Sequence, residues 1–394
     1  MLHPNALQTL KRPIRLALIG GGPGSFIGRV HQTAARLDNR YQIVNAALSS
    51  NPDKARSAAL AMGIDAARIA EDPEAMIRAE ADHTEGADAV AIMTPNDSHH
   101  RLASAALHAG LHVICDKPMT NTLAEARELT ELVRQKSLVF CLTHNYTGYP
   151  LVRQARAMVR DGAIGELLLV QVEYVQGGRA PGNDPAPGGS VPWRYDPERG
   201  GPSLVMGDIG THAHNLVRFV TGKEIESVCA DAGSVVPGRN FHDFTGALLR
   251  LNGGARGSFW VTQAAAGVEN ALRFRISGSE GSLEWEQEIP QRLIYRPFGR
   301  PAEIRTPNGP GTVAEAARAL RIVAGHPEGF IEGFANIYAD AAEAIAAAIT
   351  GAAADPLALD FPTADDGLKG VEFIDAVLRS SASGGWVEIP NNAV

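Results

Sequence analysis

The chain has 394 residues, 45% of them hydrophobic and 20% charged, with a formal net charge of −8. That length is more than one hydrophobic core comfortably fills, which predicts two or three domains, and the composition excludes a largely disordered chain. The acidic balance offers no basic field to neutralise phosphates, so a small ligand is expected as partner and nucleic acid is not.

Short apolar runs at 14–19, 43–48, 89–93, 113–115 and 139–142 suit strands buried on both faces, and the stretches between them, such as 52–62 and 98–109, carry helical patterns. This β-α-β-α order predicts a parallel sheet. After Pro150 the texture changes. A helix is predicted over 151–160, then strands over 166–176, 225–236, 245–251, 255–263, 271–277 and 282–287. Gly-containing turns at 252–254 and 278–281 suit an antiparallel sheet. Helices are expected again over 328–349 and 364–380. The expected organisation is an α/β domain over 1–145 and an α+β domain with an open, mainly antiparallel sheet over 146–394. Gly and Pro supply nearly half of residues 177–203, which excludes regular structure there; Trp193 and Arg194 within it favour a lid over a linker.

The run 14–19 behind Lys11 and Arg12 is too short for a secretory signal, and no apolar stretch reaches the ~20 residues of a membrane helix. Cys115, Cys141 and Cys229 lack paired spacing and read as reduced, buried thiols. A cytoplasmic protein without membrane contact is expected.

The strongest local signal follows the first strand: Gly20, Gly22, Gly24, Ser25, Phe26, Ile27 and Gly28 lie in a glycine-rich turn that opens a helix. Glycines there let the backbone approach a pyrophosphate, which rests on the amides of the helix start, as in a Rossmann dinucleotide-binding domain. The spacing is irregular. Ser25 stands where the third glycine usually falls, and Gly28 comes three residues later. At the end of the second strand, Ser49 replaces the acidic residue that usually holds the adenosine ribose. No arginine adjoins it, so NAD is expected, with NADP also admitted.

Three further segments, Ala91-Ile92-Met93-Thr94-Pro95-Asn96-Asp97-Ser98-His99, Ala109-Gly110-Leu111-His112-Val113-Ile114-Cys115-Asp116-Lys117-Pro118 and Gly207-Asp208-Ile209-Gly210-Thr211-His212, appear in that order. With them the whole chain resembles the glucose–fructose oxidoreductase/inositol dehydrogenase (Gfo/Idh/MocA) family. The resemblance implies a Rossmann domain followed by a substrate domain whose open sheet forms a homodimer or homotetramer. It further implies that Thr94, Pro95, Asn96, His99 and Asp116 lie beside the cofactor. Lys117, Asp208 and His212 would meet at the nicotinamide as the catalytic groups. Those residue types suit the chemistry, because removing a hydride from a secondary alcohol needs a base for the hydroxyl proton and a cation beside the growing alkoxide.

His144 and Tyr146, past the last parallel strand, are expected at the substrate, as are Trp193 and Arg194. His326 is either a substrate ligand or a helix cap. Tyr174 and Gln176 share one strand face, which is either the substrate site, where Tyr174 is placed, or a subunit interface. Asp208, His212 and His214 could be read as a metal set, but hydride transfer to nicotinamide needs none and no metal is expected. Arg179, Arg194 and Arg199 on the lid suit an anionic sugar. The expected activity is NAD(P)-dependent hydride transfer to or from a ring hydroxyl carbon of a sugar, cyclitol or glycoside. The alternatives are a redox-neutral NAD-dependent glycosidase acting through transient C3 oxidation, and a non-catalytic sugar-sensing regulator.

Overall fold

The computed structural model describes residues 5–70, 72–184 and 192–390. They form two compact units, Met1–Gly148 with Phe330–Leu368 and Tyr149–Gly329 with Lys369–Val394. The single cut expected after residue 145 therefore differs from the structure, because 330–368 returns to the first unit. The cause is the helix Phe330–Thr350, whose Phe334, Ile337, Tyr338, Ala341 and Ile345 are buried in one cluster with Leu16, Leu18 and Val30. Periodicity identified that helix but could not say which core it fills.

In the first unit, β1 (Ile14–Gly20), β2 (Tyr41–Ala47), β3 (Ala89–Met93), β4 (His112–Cys115) and β5 (Phe140–Leu142) make a parallel sheet in the order β2-β1-β3-β4-β5. Helix α1 (Asn5–Leu10) precedes it; α2 (Phe26–Leu37), α3 (Pro52–Ala61), α4 (Pro73–Asp82), α5 (His99–His108) and α6 (Leu123–Lys136) lie in its connections. Every residue of β3 and β4 is buried, which is why these strands read as unbroken apolar runs. The order reverses at β1, with β2 on one side and β3 on the other. Doubly wound sheets bind ligands at the carboxyl ends of strands beside such a reversal.

The second unit is built on a nine-stranded sheet of β6 (Leu167–Val175), β7 (Ile225–Gly233), β8 (Phe244–Leu251), β9 (Arg256–Thr262), β10 (Ala271–Gly278), β11 (Gly281–Glu286), β12 (Leu293–Pro297), β13 (Glu303–Arg305) and β14 (Val387–Glu388). Its order is β13-β12-β11-β10-β6-β9-β8-β7-β14. Neighbours are antiparallel except β6 and β9. The short β12, β13 and β14 were not among the expected strands, being two to five residues long. Helices α7 (Pro150–Arg160), α8 (Pro197–Gly200), α9 (Thr211–Thr221) and α10 (Ala314–Arg318) complete the unit with the residues from Lys369 onward. Helix α9 packs on β6 and β10, and α7 on β11 and β12.

Along β10, Leu272, Phe274 and Ile276 are buried while Arg273 and Arg275 emerge on the other face. That open face carries ion pairs, Arg273 to Glu173 at 2.6 Å and Arg275 to Glu284 at 2.8 Å, beside exposed Leu169, Leu248 and Trp260. Tyr174 lies on the opposite, buried face with Val172. Of the expected loop 177–203, residues 185–191 lie outside the described residues. The described remainder is not free of regular structure, since Trp193–Tyr195 forms a 3-10 turn and α8 starts at Pro197, with the Asp196 carboxylate accepting from the Glu198 amide. Cys115 and Cys141 are buried and Cys229 is only partly so.

Candidate active site

The glycine turn in the first unit shows how an irregular spacing still builds a nucleotide cradle. Ser25 is the N-cap of α2, its hydroxyl accepting from the Gly28 amide at 3.1 Å, which suits a serine better than a third glycine. Gly28 takes over the close-packing role, for a Cβ there would overlap the Gly21 carbonyl. A Cβ at Gly22 would likewise overlap the Leu48 carbonyl. The turn, the end of β2 and the start of α3 border an open groove of about 840 Å³ lined by Gly22, Pro23, Ser25, Leu48 and Ser49 among others. Phe26 is exposed at its edge of α2, and Ile27 packs toward the core. A backbone cradle without side chains, followed by capped helix amides, fits a dinucleotide pyrophosphate.

The ends of β3 and β4 are tied to each other by His99. Its Nδ1 lies 2.9 Å from the Pro118 carbonyl and its Nε2 lies 3.0 Å from the Thr94 carbonyl, and the ring is fully buried. His99 thus reaches both the Thr94-Pro95-Asn96 turn and the Lys117-Pro118 turn, where the peptide bond is cis. Ser98 Oγ donates to Thr94 Oγ1 at 2.6 Å. The Asp116 carboxylate accepts from the Lys117 amide at 2.8 Å and from the Thr143 hydroxyl at 3.1 Å. Both residues serve the shape of the lysine turn. Lys117 is half-buried, which sets it apart from a surface lysine. His144 and Tyr146 are buried beyond β5, the Tyr146 ring 6.3 Å from that of Phe330.

In the second unit, Asp208 stands in a π-helical turn, Met206–Gly210, that runs into α9, and His212 is the second residue of that helix. Such turns re-aim side chains that a regular helix would place elsewhere. His212 is buried, its ring centroid 6.4 Å from that of Tyr174. Asp208 Oδ2 accepts from Gln263 Nε2 at 2.8 Å and lies 3.9 Å from the Arg179 guanidinium. Gln263 also donates to Gln176 Oε1 at 3.0 Å, Gln176 donates to Asn270 Oδ1 at 2.6 Å, and the Tyr174 hydroxyl donates to the same oxygen at 2.8 Å. The Tyr174–Gln176 face is thus linked to Asp208 through Gln263 and lies beside His212. Gln263 and Asn270 were not anticipated; each stands just outside a strand end, and no spacing marks them.

Arg179 belongs to this cluster, occupied by Asp208, Gln263 and the Tyr195 ring, 4.5 Å away. The other expected residues have different neighbours. Arg194 is exposed and stacks on the half-exposed Trp193 at 4.2 Å, and Arg199 is exposed. His326 is neither a cap nor a part of the cluster. It sits on an exposed turn with Nδ1 facing the Val323 carbonyl at 3.2 Å, and the helix begins only at Phe330. His214 is buried and stacked on Phe373 at 4.5 Å. Among the described residues no group of three His, Cys, Asp or Glu side chains could hold a metal ion, and no helix is long and apolar enough to cross a membrane.

Residues 14–144 match the model of the oxidoreductase family with the NAD-binding Rossmann fold, and residues 152–284 match that of the GFO/IDH/MocA C-terminal domain. The chain is 32% identical over 388 residues to the uncharacterized oxidoreductase YfiI of Bacillus subtilis (strain 168), covering 98% of this chain and 99% of that protein. An oxidoreductase structure from Sinorhizobium meliloti is 45% identical with a TM-score of 0.85, covering 95% of this chain and 99% of that one. An inositol dehydrogenase homolog from Azotobacter vinelandii, solved with NAD+, is 35% identical with a TM-score of 0.89, covering 96% and 97%. The first domain is thus an NAD-binding Rossmann domain, and the chain belongs to the Gfo/Idh/MocA family.

Proposed function

We propose that the chain is an NAD-dependent dehydrogenase of a ring hydroxyl on a sugar or cyclitol. The observation that carries this reading is the Asp208 carboxylate, held by Gln263 beside Arg179 on the same short segment as a buried histidine. Bound NAD supplies the hydride acceptor. The Lys117 ammonium stabilises negative charge growing on the substrate oxygen, His212 takes the hydroxyl proton, and Asp208 orients the imidazole. Lys117 leaves a turn fixed by Asp116 and His99, so its charge costs little reorganisation as the alkoxide develops.

A redox-neutral glycosidase needs a further base for the proton beside the new carbonyl. His144, Tyr146 and His326 are the side chains available for that role; His326 sits on an exposed turn and the other two are buried, so the dehydrogenase is the better supported reading. The inositol dehydrogenase homolog from Azotobacter vinelandii has also been solved with NADH and myo-inositol, which makes myo-inositol the first substrate to try. The test is NADH formation from NAD with myo-inositol, levoglucosan and D-glucose, in the native chain and in Lys117→Met. We expect turnover on at least one of them that falls by about a hundredfold or more in the variant. Turnover that survives in Lys117→Met would overturn the assignment.

We also propose that copies associate through the open face of the nine-stranded sheet. Leu169, Leu248 and Trp260 leave 55%, 57% and 43% of their surface exposed there, between ion pairs of both signs. Light scattering should give a dimer or tetramer for the native chain and a smaller species for Trp260→Asp. An unchanged mass in the variant would exclude this face.

A further inference from the structure

Given the role proposed for Asp208 in hydride transfer, on which this rests, we infer that Tyr195 is a positioning residue for the reaction. It holds the Arg179 guanidinium against Gln263 and Asp208, and Arg239 anchors the support on which Tyr195 rests. Arg179 stands on irregular backbone beyond β6 and has a long side chain with many rotamers to lose. Its amide donates to the Gln263 carbonyl at 2.9 Å and its Nε to Gln263 Oε1 at 3.0 Å. Those bonds fix the start of the side chain and one edge of the guanidinium. Tyr195 supplies a face, with its ring centre 4.5 Å from the guanidinium carbon. Stacking holds a planar cation while leaving its N–H edges to Gln263 and Asp208.

Tyr195 closes the 3-10 turn Trp193–Tyr195, and its own support comes from the connection between β7 and β8. Phe241 meets the Tyr195 ring edge to face, the centres 4.8 Å apart at 85°, and the Arg239 guanidinium carbon lies 5.3 Å from the Phe241 centre. The Arg239 side chain is almost wholly buried. Its Nε and Nη2 donate to the two Asp184 oxygens at 2.8 and 2.9 Å, and its Nη1 donates to the fully buried Asp243 at 2.7 Å. It thereby ties Asp184, on the chain that leaves Arg179, to the connection that carries Phe241. The Asp243 carbonyl in turn accepts from the Gln263 amide at 3.1 Å. Both routes from Arg239 therefore end on the two side chains that flank Asp208, through Asp243 on Gln263 and through Phe241 and Tyr195 on Arg179.

Steady-state kinetics on the sugar that the native chain oxidises, with NADH binding measured in parallel, tests this. Tyr195→Leu keeps apolar bulk against Phe241 but offers no ring face, so kcat should fall about fivefold while KM and NADH affinity stay within about twofold. Tyr195→Phe should keep the native kcat. Added to Arg179→Met, Tyr195→Leu should cost less than about a further twofold in kcat, because its effect passes through Arg179. Arg239→Lys keeps a charge beside Asp243 but loses the fork that also reaches Asp184, and should lower kcat about threefold. Unchanged kcat in Tyr195→Leu or Arg239→Lys, an equal loss in Tyr195→Phe, or a loss that multiplies in full onto that of Arg179→Met would overturn the inference. If the native chain oxidises no sugar, the dehydrogenase reading fails and the stacking is still tested: urea midpoint shifts that add fully in the Tyr195→Leu/Arg179→Met double variant would overturn it.

Discussion

Arg179 Nε donates to Gln263 Oε1 at 3.0 Å, and this one bond decides which end of the amide faces Asp208. With its oxygen turned to the guanidinium, Gln263 must present its NH2 group to the Asp208 carboxylate and to Gln176. A reversed amide would set oxygen against carboxylate. The direction of the chain through Gln176 to Asn270 follows from the same end, because each amide can donate only where the previous one has left an acceptor.

Replacing Arg179 by Met should therefore lower turnover even though the residue bears no proton in the reaction. We expect a loss of roughly tenfold in kcat, ~1.4 kcal/mol of transition-state stabilisation, with NADH affinity unchanged. Gln263→Glu should do more, since it places a second carboxylate against Asp208, and it should move the pH profile of kcat/KM. Steady-state kinetics with NADH binding measured in parallel separates these effects from misfolding. Normal kcat in both variants would show that Asp208 needs no such support.

His99 gives a second test, on stability. Its ring joins the turns after β3 and β4 through two backbone carbonyls, and no solvent reaches it. His99→Ala removes the ring that spans the two carbonyls and leaves a cavity, at a cost of about 2–4 kcal/mol. Urea unfolding would measure the loss. Because the same ring fixes the Lys117 turn, the refolded variant should also turn over more slowly, with substrate KM little changed.

Two glycines with different surroundings should behave differently. Gly28→Ala drives a methyl group into the Gly21 carbonyl, so α2 must shift away from the cradle and NADH affinity should drop more than tenfold, beyond ~1.4 kcal/mol. At Gly24 the φ of 88° disfavours alanine, but a Cβ would meet nothing within 4 Å. Gly24→Ala should cost about 1 kcal/mol in stability and leave NADH affinity nearly as it was. Equal losses of affinity in the two variants would contradict this account of the cradle.

How legible each part was follows from what kind of interaction builds it. The parallel strands could be read because burial on both faces leaves unbroken apolar runs, as in β3. The cradle could be read because only glycine tolerates the backbone approach at Gly22 and Gly28. The partners of Asp208 could not. Arg179 and Gln263, which hold Asp208, and Asn270, which holds Gln176, follow or precede separate strands brought side by side by sheet order, and the parallel pairing of β6 with β9 inside an antiparallel sheet has no local signature. For the same reason the return of helix Phe330–Thr350 to the first core was invisible: its apolar sides specify burial and not the neighbour.

Acid should destabilise the fold through two buried histidines, His31 and His112. Burial holds the His31 imidazole down to about 4, with Nδ1 2.7 Å from the Tyr338 hydroxyl, and burial likewise holds His112 down to about 4. His112 Nδ1 accepts from the Val139 amide at 2.9 Å, a bond that a proton on that nitrogen would destroy. Both rings are therefore neutral in the folded chain. In the unfolded chain each takes up a proton near the ordinary histidine value of about 6.5. Above that pH neither state binds the proton and stability does not depend on these groups. As the pH falls from about 6.5 toward 4 the unfolded state gains protons that the folded state refuses, so stability declines across that window and levels only when the folded rings titrate. Over the whole window each ring contributes a loss of about 3 kcal/mol, from the fall between about 6.5 and about 4. Urea unfolding followed between about pH 7 and pH 4.5 should show the decline, and His112→Gln, whose side-chain oxygen can still accept from Val139, should flatten it. A slope that is the same in the variant would mean that other groups govern the acid limb.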